Sequence, residues 1–151
     1  MGAIDVKSMP GVENAFFNYA HNRVSTGMMD PDVIAHELGH AENTQNSPIY
    51  QKFLTAVRGL QALNKTIMLP AMLGMHAFMG DDKRRDIVAT LAGVSSALAA
   101  PIVHEEMSAS ANAVGNSDDK LRTLKRLLPG LGAHVVSNAI PVGAYSLDQR
   151  F

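Results

Sequence analysis

In "DPDVIAHELGHAENTQNSP", residues 30–48, two histidines and a glutamate stand close together: His36, Glu37 and His40. On a helix, positions four apart share one face about a turn from each other, so both imidazoles project the same way. Two neutral imidazoles at that spacing suit one zinc ion, and Glu37 reaches a water on that ion without being a ligand. A carboxylate so placed takes the water's proton as it attacks a polarised carbonyl. The competing account is plainer: two histidines packed within a polar core. The chain has no cysteine, so any metal is held by His, Asp or Glu. A zinc site also needs a third protein ligand. "PIVHEEMSASANAVG", residues 101–115, offers His104, Glu105 and Glu106, followed by small residues that permit tight helix packing.

The elements that position these residues are partly marked. Asp30 suits an N-cap and Pro31 a first helical position, while Asp32 adds negative charge where the helix dipole favours it. Ser47-Pro48 predicts the stop, because proline disfavours helix in the residue before it. Gly39 allows another segment to approach closely, and Val33, Ile34, Ala35, Leu38 and Ala41 make the surroundings apolar. Beyond Ser47-Pro48, "IYQKFLTAVRGLQALNKT" reads as an amphipathic helix with Arg58 and Lys65 on its polar side.

The run His-Glu-Leu-Gly-His-Ala, a long apolar interval, and then Glu-Met-Ser-Ala-Ser-Ala resembles the neutral zinc metallopeptidases of bacterial membranes, the YugP-type family. It is more distantly similar to the HtpX heat-shock protease and the CAAX-processing membrane zinc proteases. The resemblance spans roughly residues 30–147, is specific at the two motifs and is loose between them. It implies that Glu106 is the third zinc ligand, with Ala109 and Ser110 completing a Glu-x-x-Ala-Ser pattern. Ser110, one turn beyond Glu106, is then placed to hydrogen-bond a ligand. Glu105 is the rival ligand, its other role being a carboxylate in solvent or behind the ligands; His104 reads as a flanking or core histidine. Such families carry an edge strand before the first motif. Here "AFFNYAHNRVSTGMMD" is the candidate, as a helix or a short strand, and a missing edge strand would weaken the grip on an extended peptide.

Three long uncharged stretches dominate the rest, at residues 66–80, 87–103 and 127–147. The first two flank "DDKRRD", residues 81–86, a charged tip that suits an apolar helical hairpin between the HExxH helix and the Glu-ligand helix. At 15 and 17 residues they fall short of the ~20 that a membrane span uses. Their Gly, Ala and Ser content fits helix contacts as well as lipid. Ser117 is a candidate N-cap for a short basic helix, "KLRTLKRLL", whose cations suit a solvated face or anionic lipid head groups. Pro129-Gly130 and Pro141 are expected to break or kink the C-terminal apolar stretch. His76 and His134, alone in apolar stretches, read as packing residues.

With 151 residues and a formal charge of −1, the chain suits a single domain and not a nucleic-acid binder, which needs a basic surface. The start lacks a signal-peptide pattern, giving an expectation of membrane-associated or cytoplasmic location. No strand is convincing. The expected fold is all-α, a compact helical zincin-like domain with residues 1–29 as an N-terminal segment. The expected function is zinc-dependent hydrolysis of peptide bonds in a peptide or protein, with Zn2+ on His36, His40 and Glu106 and with Glu37 as general base. The alternative is a non-catalytic, membrane-inserting structural protein of a larger assembly, for example a virion component, that retains the scaffold.

Overall fold

The computed structural model describes residues 4–11, 14–27, 30–45, 47–68 and 81–148, with isolated positions 70, 71, 74 and 78 between the last two segments. The chain is mostly helical, with one small sheet. Its described elements are β1 (Asp5–Ser8), β2 (Ala15–Asn18), β3 (Arg23–Thr26), α1 (Pro31–Gln45), α2 (Pro48–Leu63), a π-helical turn (Asn64–Met68), α3 (Asp81–Gly115) and α4 (Lys120–Asp148).

The sheet corrects the all-α expectation. β3 lies in the middle, parallel to β1 and antiparallel to β2, so β2 is an edge strand. Each strand has only four residues, too few for alternation to separate strand from helix in sequence. Within β2 the alternation is nonetheless physical: Ala15 and Phe17 are buried, Phe16 is exposed, and Tyr19 just beyond is buried again. Asn22 closes the β2–β3 turn at φ 48°, a left-handed conformation that Asn tolerates better than most residues. Phe17, Tyr19 and Val24 pack on Ala41 of α1 and Leu54 of α2, so the sheet is anchored against both helices.

The start of α1 follows expectation. Asp30 Oδ1 accepts hydrogen bonds from the Asp32 and Val33 amides, at 3.0 and 3.4 Å. Ser47 caps α2, its Oγ accepting from the Tyr50 amide at 3.2 Å. α2 buries Leu54 and Val57, but its faces are not cleanly divided. Arg58 turns inward, while Ile49, Phe53, Leu60 and Leu63 point outward. The inward cation is compensated by carboxylates that come from α3.

Residues 81–86 form the first turns of α3, not the tip of a hairpin. The arm expected at 66–80 lies largely outside the described residues, and His76 with it. The helical hairpin that does form joins α3 to α4 through residues 116–119. Asp119, not Ser117, caps α4, its Oδ1 accepting from the Arg122 amide at 3.0 Å. The short basic helix is the beginning of a 29-residue one that runs through Pro129, Gly130 and Pro141. Packing along α3, where Thr123 and Leu127 are buried, outweighs the local cost of these residues. Two of the basic side chains are tied to α1: Arg126 Nε donates to Asp30 at 2.7 Å, and Arg122 stands 3.4 Å from Asp32.

Helix α3 is apolar enough over Arg85–Gly115 to cross a membrane by length and composition, a test that the core helix of a soluble protein also passes. Its polar residues Ser95, Glu105, Glu106 and Ser110 are buried, whereas Val94 and Met107 are exposed.

Candidate metal centre

Helix α1 presents His36 and His40 on the face turned toward α3. The two helices come into backbone contact there, because Gly39 has no side chain and Ala109 opposite it has only a methyl group. That contact brings Glu106 to the two imidazoles. His36 Nε2 and His40 Nε2 are 3.1 Å apart, and each is 3.4 Å from Glu106 Oε2. Zinc bonds of about 2.0–2.2 Å in tetrahedral geometry place ligand atoms roughly 3.3–3.6 Å from one another. The two edges to Glu106 fall in that range and the edge between the imidazoles is slightly shorter, and the three residues form a cluster able to hold a metal.

The far nitrogen of each imidazole is also engaged. His36 Nδ1 meets Ser110 Oγ at 3.1 Å. His40 Nδ1 lies 2.5 Å from Glu105 Oε2 and 3.0 Å from the Tyr19 hydroxyl. Such partners orient imidazole ligands and set which nitrogen faces the ion. Glu105 therefore has a post behind His40: it also receives the Tyr19 hydroxyl at 2.6 Å and the Asn43 amide at 3.3 Å. Burial pushes the Tyr19 hydroxyl far above its usual range, which keeps its proton available for that bond. Burial disfavours a charge on His40, but hydrogen bonds to Glu105 and Glu106 outweigh it and hold the imidazole up at about 9. Without a metal, His40 thus carries a proton at neutral pH.

Glu37 lines, together with the histidines and Glu106, a cavity of about 540 Å³. The cavity is walled by β2, by the histidine pair with Glu106, and by Arg126, Leu127 and His134 of α4. Burial pushes the Glu37 carboxyl above its ordinary range, against the pull of His40 and His36 and a hydrogen bond from the Phe17 amide. A carboxylate with a raised pKa beside a metal cluster is suited to take up a proton.

The structure brings together His36, Glu37, His40, Glu106 and Ser110, and leaves His104 exposed outside the cluster. Three participants were not read as site residues in the sequence. Tyr19 belongs to the alternating Ala15, Phe17, Tyr19 face, and Arg58 is a lone cation in the run Leu54–Leu60. His134 Nε2 stands 3.8 Å from Glu106 Oε2; a lone histidine in an apolar helix is the only sign it leaves in sequence. Of the two readings for "AFFNYAHNRVSTGMMD", helix or short strand, the structure has the strand, with β2 at the cavity wall. No protein-family profile matches the chain, and no curated protein or solved structure matches it either.

Proposed function

We propose that the chain is a zinc-dependent metallopeptidase in which His36, His40 and Glu106 hold the ion and Glu37 is the general base. The carrying observation is the three-atom cluster at zinc-like spacing, set in a cavity wall beside a buried carboxylate that is not part of the cluster. Bound zinc supplies Lewis acidity to a peptide carbonyl and acidifies a water. The Phe17 amide orients Glu37 to accept that water's proton and to pass it to the leaving amine. Edge strand β2 lines the same cavity, where an extended peptide can lie beside it. This reading agrees with the YugP-type resemblance of the two motifs. The test is zinc content together with turnover of unfolded protein substrates, for wild type and Glu37→Gln at equal zinc loading.

Attachment to a membrane goes with this reading, supported by outward apolar residues on α2, α3 and α4. The same surfaces favour the second reading, a membrane-inserting structural component without turnover. His134 decides between the two: as a fourth ligand it would close the site and make zinc a fastener. In the hydrolase it stays off the ion, so His134→Ala preserves zinc affinity.

A further inference from the structure

The two carboxylate oxygens of Glu106 are in different company. Oε2 faces both imidazoles, 3.4 Å from each. Oε1 receives Nη2 of Arg58 at 2.7 Å. Arg58 comes from α2, which supplies none of the clustered ligand atoms. Its guanidinium lies over the Tyr19 ring, with Cζ 4.6 Å from the centroid. Nη2 also donates to the Tyr19 hydroxyl at 2.9 Å and stands 3.4 Å from Glu105 Oε2. The guanidinium is thus held from one side by an aromatic face and from the other by two carboxylates. Glu105 and Glu106 are adjacent in sequence and both buried, and Arg58 reaches both, as His40 does from the other helix. A buried carboxylate oxygen bound to a guanidinium has one of its two lone pairs in a charge-assisted hydrogen bond, which fixes its direction and draws off charge. It is a poor partner for a second bond to a metal.

We propose that Arg58 is a positioning residue that restricts Glu106 to metal binding through Oε2 alone. The inference rests on the metal-centre reading above. Its consequence is a site held by three protein atoms, two nitrogens and one oxygen, with a coordination position left for water and substrate. Without the clamp, Oε1 is free to swing onto the ion and raise its coordination number. An arginine that merely stabilised the fold would change the melting temperature and leave the coordination number alone.

The test uses cobalt(II) in place of zinc in wild type, Arg58→Met and Arg58→Lys. Wild type should show the intense visible absorption of a four-coordinate ion. Arg58→Met, at equal cobalt content, should lose most of that intensity as the second Glu106 oxygen binds. Arg58→Lys retains a cation within reach of Oε1 and should restore it. A crystal structure of zinc-loaded wild type decides the same point should Arg58→Met fail to fold: one Glu106 oxygen on the ion is expected. Both oxygens bound in wild type overturns the proposal, as does an unaltered spectrum in Arg58→Met. Failure of wild type to bind cobalt or zinc overturns the metal centre and the clamp together. One-oxygen binding without peptidase activity supports the clamp and removes only the hydrolase reading.

Discussion

Gly39 and Ala109 meet backbone to backbone: a Cβ on Gly39 would stand 2.6 Å from the Ala109 carbonyl oxygen and 3.0 Å from its Cα. The obstacle is main chain, so no rotamer change relieves it. This contact sets the distance between α1 and α3, and hence the distance from the histidines to Glu106. Gly39→Ala should destabilise the protein by about 1–3 kcal/mol, the usual range for overpacking. It should also weaken zinc binding while altering no ligand. Denaturant unfolding and metal titration measure the two effects; unchanged zinc affinity would show that the helix spacing is set elsewhere.

The ligands and their supports should separate by size of effect. Glu106→Ala removes an atom of the cluster and should abolish tight zinc binding, as should His36→Ala or His40→Ala. Glu105→Ala removes the group behind His40 and should weaken binding by roughly 10–100-fold. Competition titration against a chelator ranks the four. A larger loss from Glu105→Ala than from Glu106→Ala would reverse the assignment of ligand and support.

Glu37→Gln should lower turnover at least about a hundredfold, the low end of general-base contributions, with zinc content unchanged. Its effect on the metal-free fold has the opposite sign. A carboxyl whose folded-state pKa is raised costs stability that builds as the pH rises above its ordinary value of 4.5 and is complete beyond the raised one. At neutral pH the amide removes the cost, so metal-free Glu37→Gln should unfold at higher denaturant than wild type. At a pH well below 4.5, where Glu37 is protonated in both states, the advantage should vanish.

The pH dependence should invert when metal is removed. In the metal-free chain, His40 is raised from 6.5 to about 9 by Glu105 and Glu106, against the effect of burial. Its contribution is fully present below about pH 6.5 and is lost as the pH rises through about 9. Zinc needs the neutral imidazole, so loading at neutral pH should release the His40 proton, and zinc affinity should climb over the same interval. Calorimetry in buffers of different ionisation enthalpy counts the proton. No release at pH 7 would mean that His40 is neutral before the metal arrives.

The outward apolar face of α2 should bind lipid. Phe53 and Leu60 are 48% and 52% exposed, and burying such side chains in a bilayer is favourable by about 25 cal/mol per Å² of apolar area. Phe53→Glu with Leu60→Glu should reduce flotation with phospholipid vesicles and leave zinc content unchanged, since neither side chain touches the metal cluster. Equal flotation of variant and wild type would remove α2 from the lipid contact.

The local part of the site was legible in the sequence because a helix converts spacing into direction without help from elsewhere. Asp30 marks the start of α1 and Ser47 the start of α2 through bonds from neighbouring amides, and each is followed by a proline at the first helical position. The four-residue step from His36 to His40 then fixes a common face. Gly39 and Ala109 could be flagged as small, but the sequence does not say that they are small for each other. The sheet was missed because strands this short carry little period, and what stabilises them is Ala41 and Leu54 from other elements. Arg58 was placed only on a polar side, because amphipathicity alone cannot tell an inward polar face from an outward one. Only the tertiary structure decided that choice, through the buried charges of Glu105 and Glu106. It likewise separated those two neighbours: adjacent positions on a helix point about 100° apart, so packing of α3 on α1 aims Glu106 at both Nε2 atoms and leaves Glu105 behind His40.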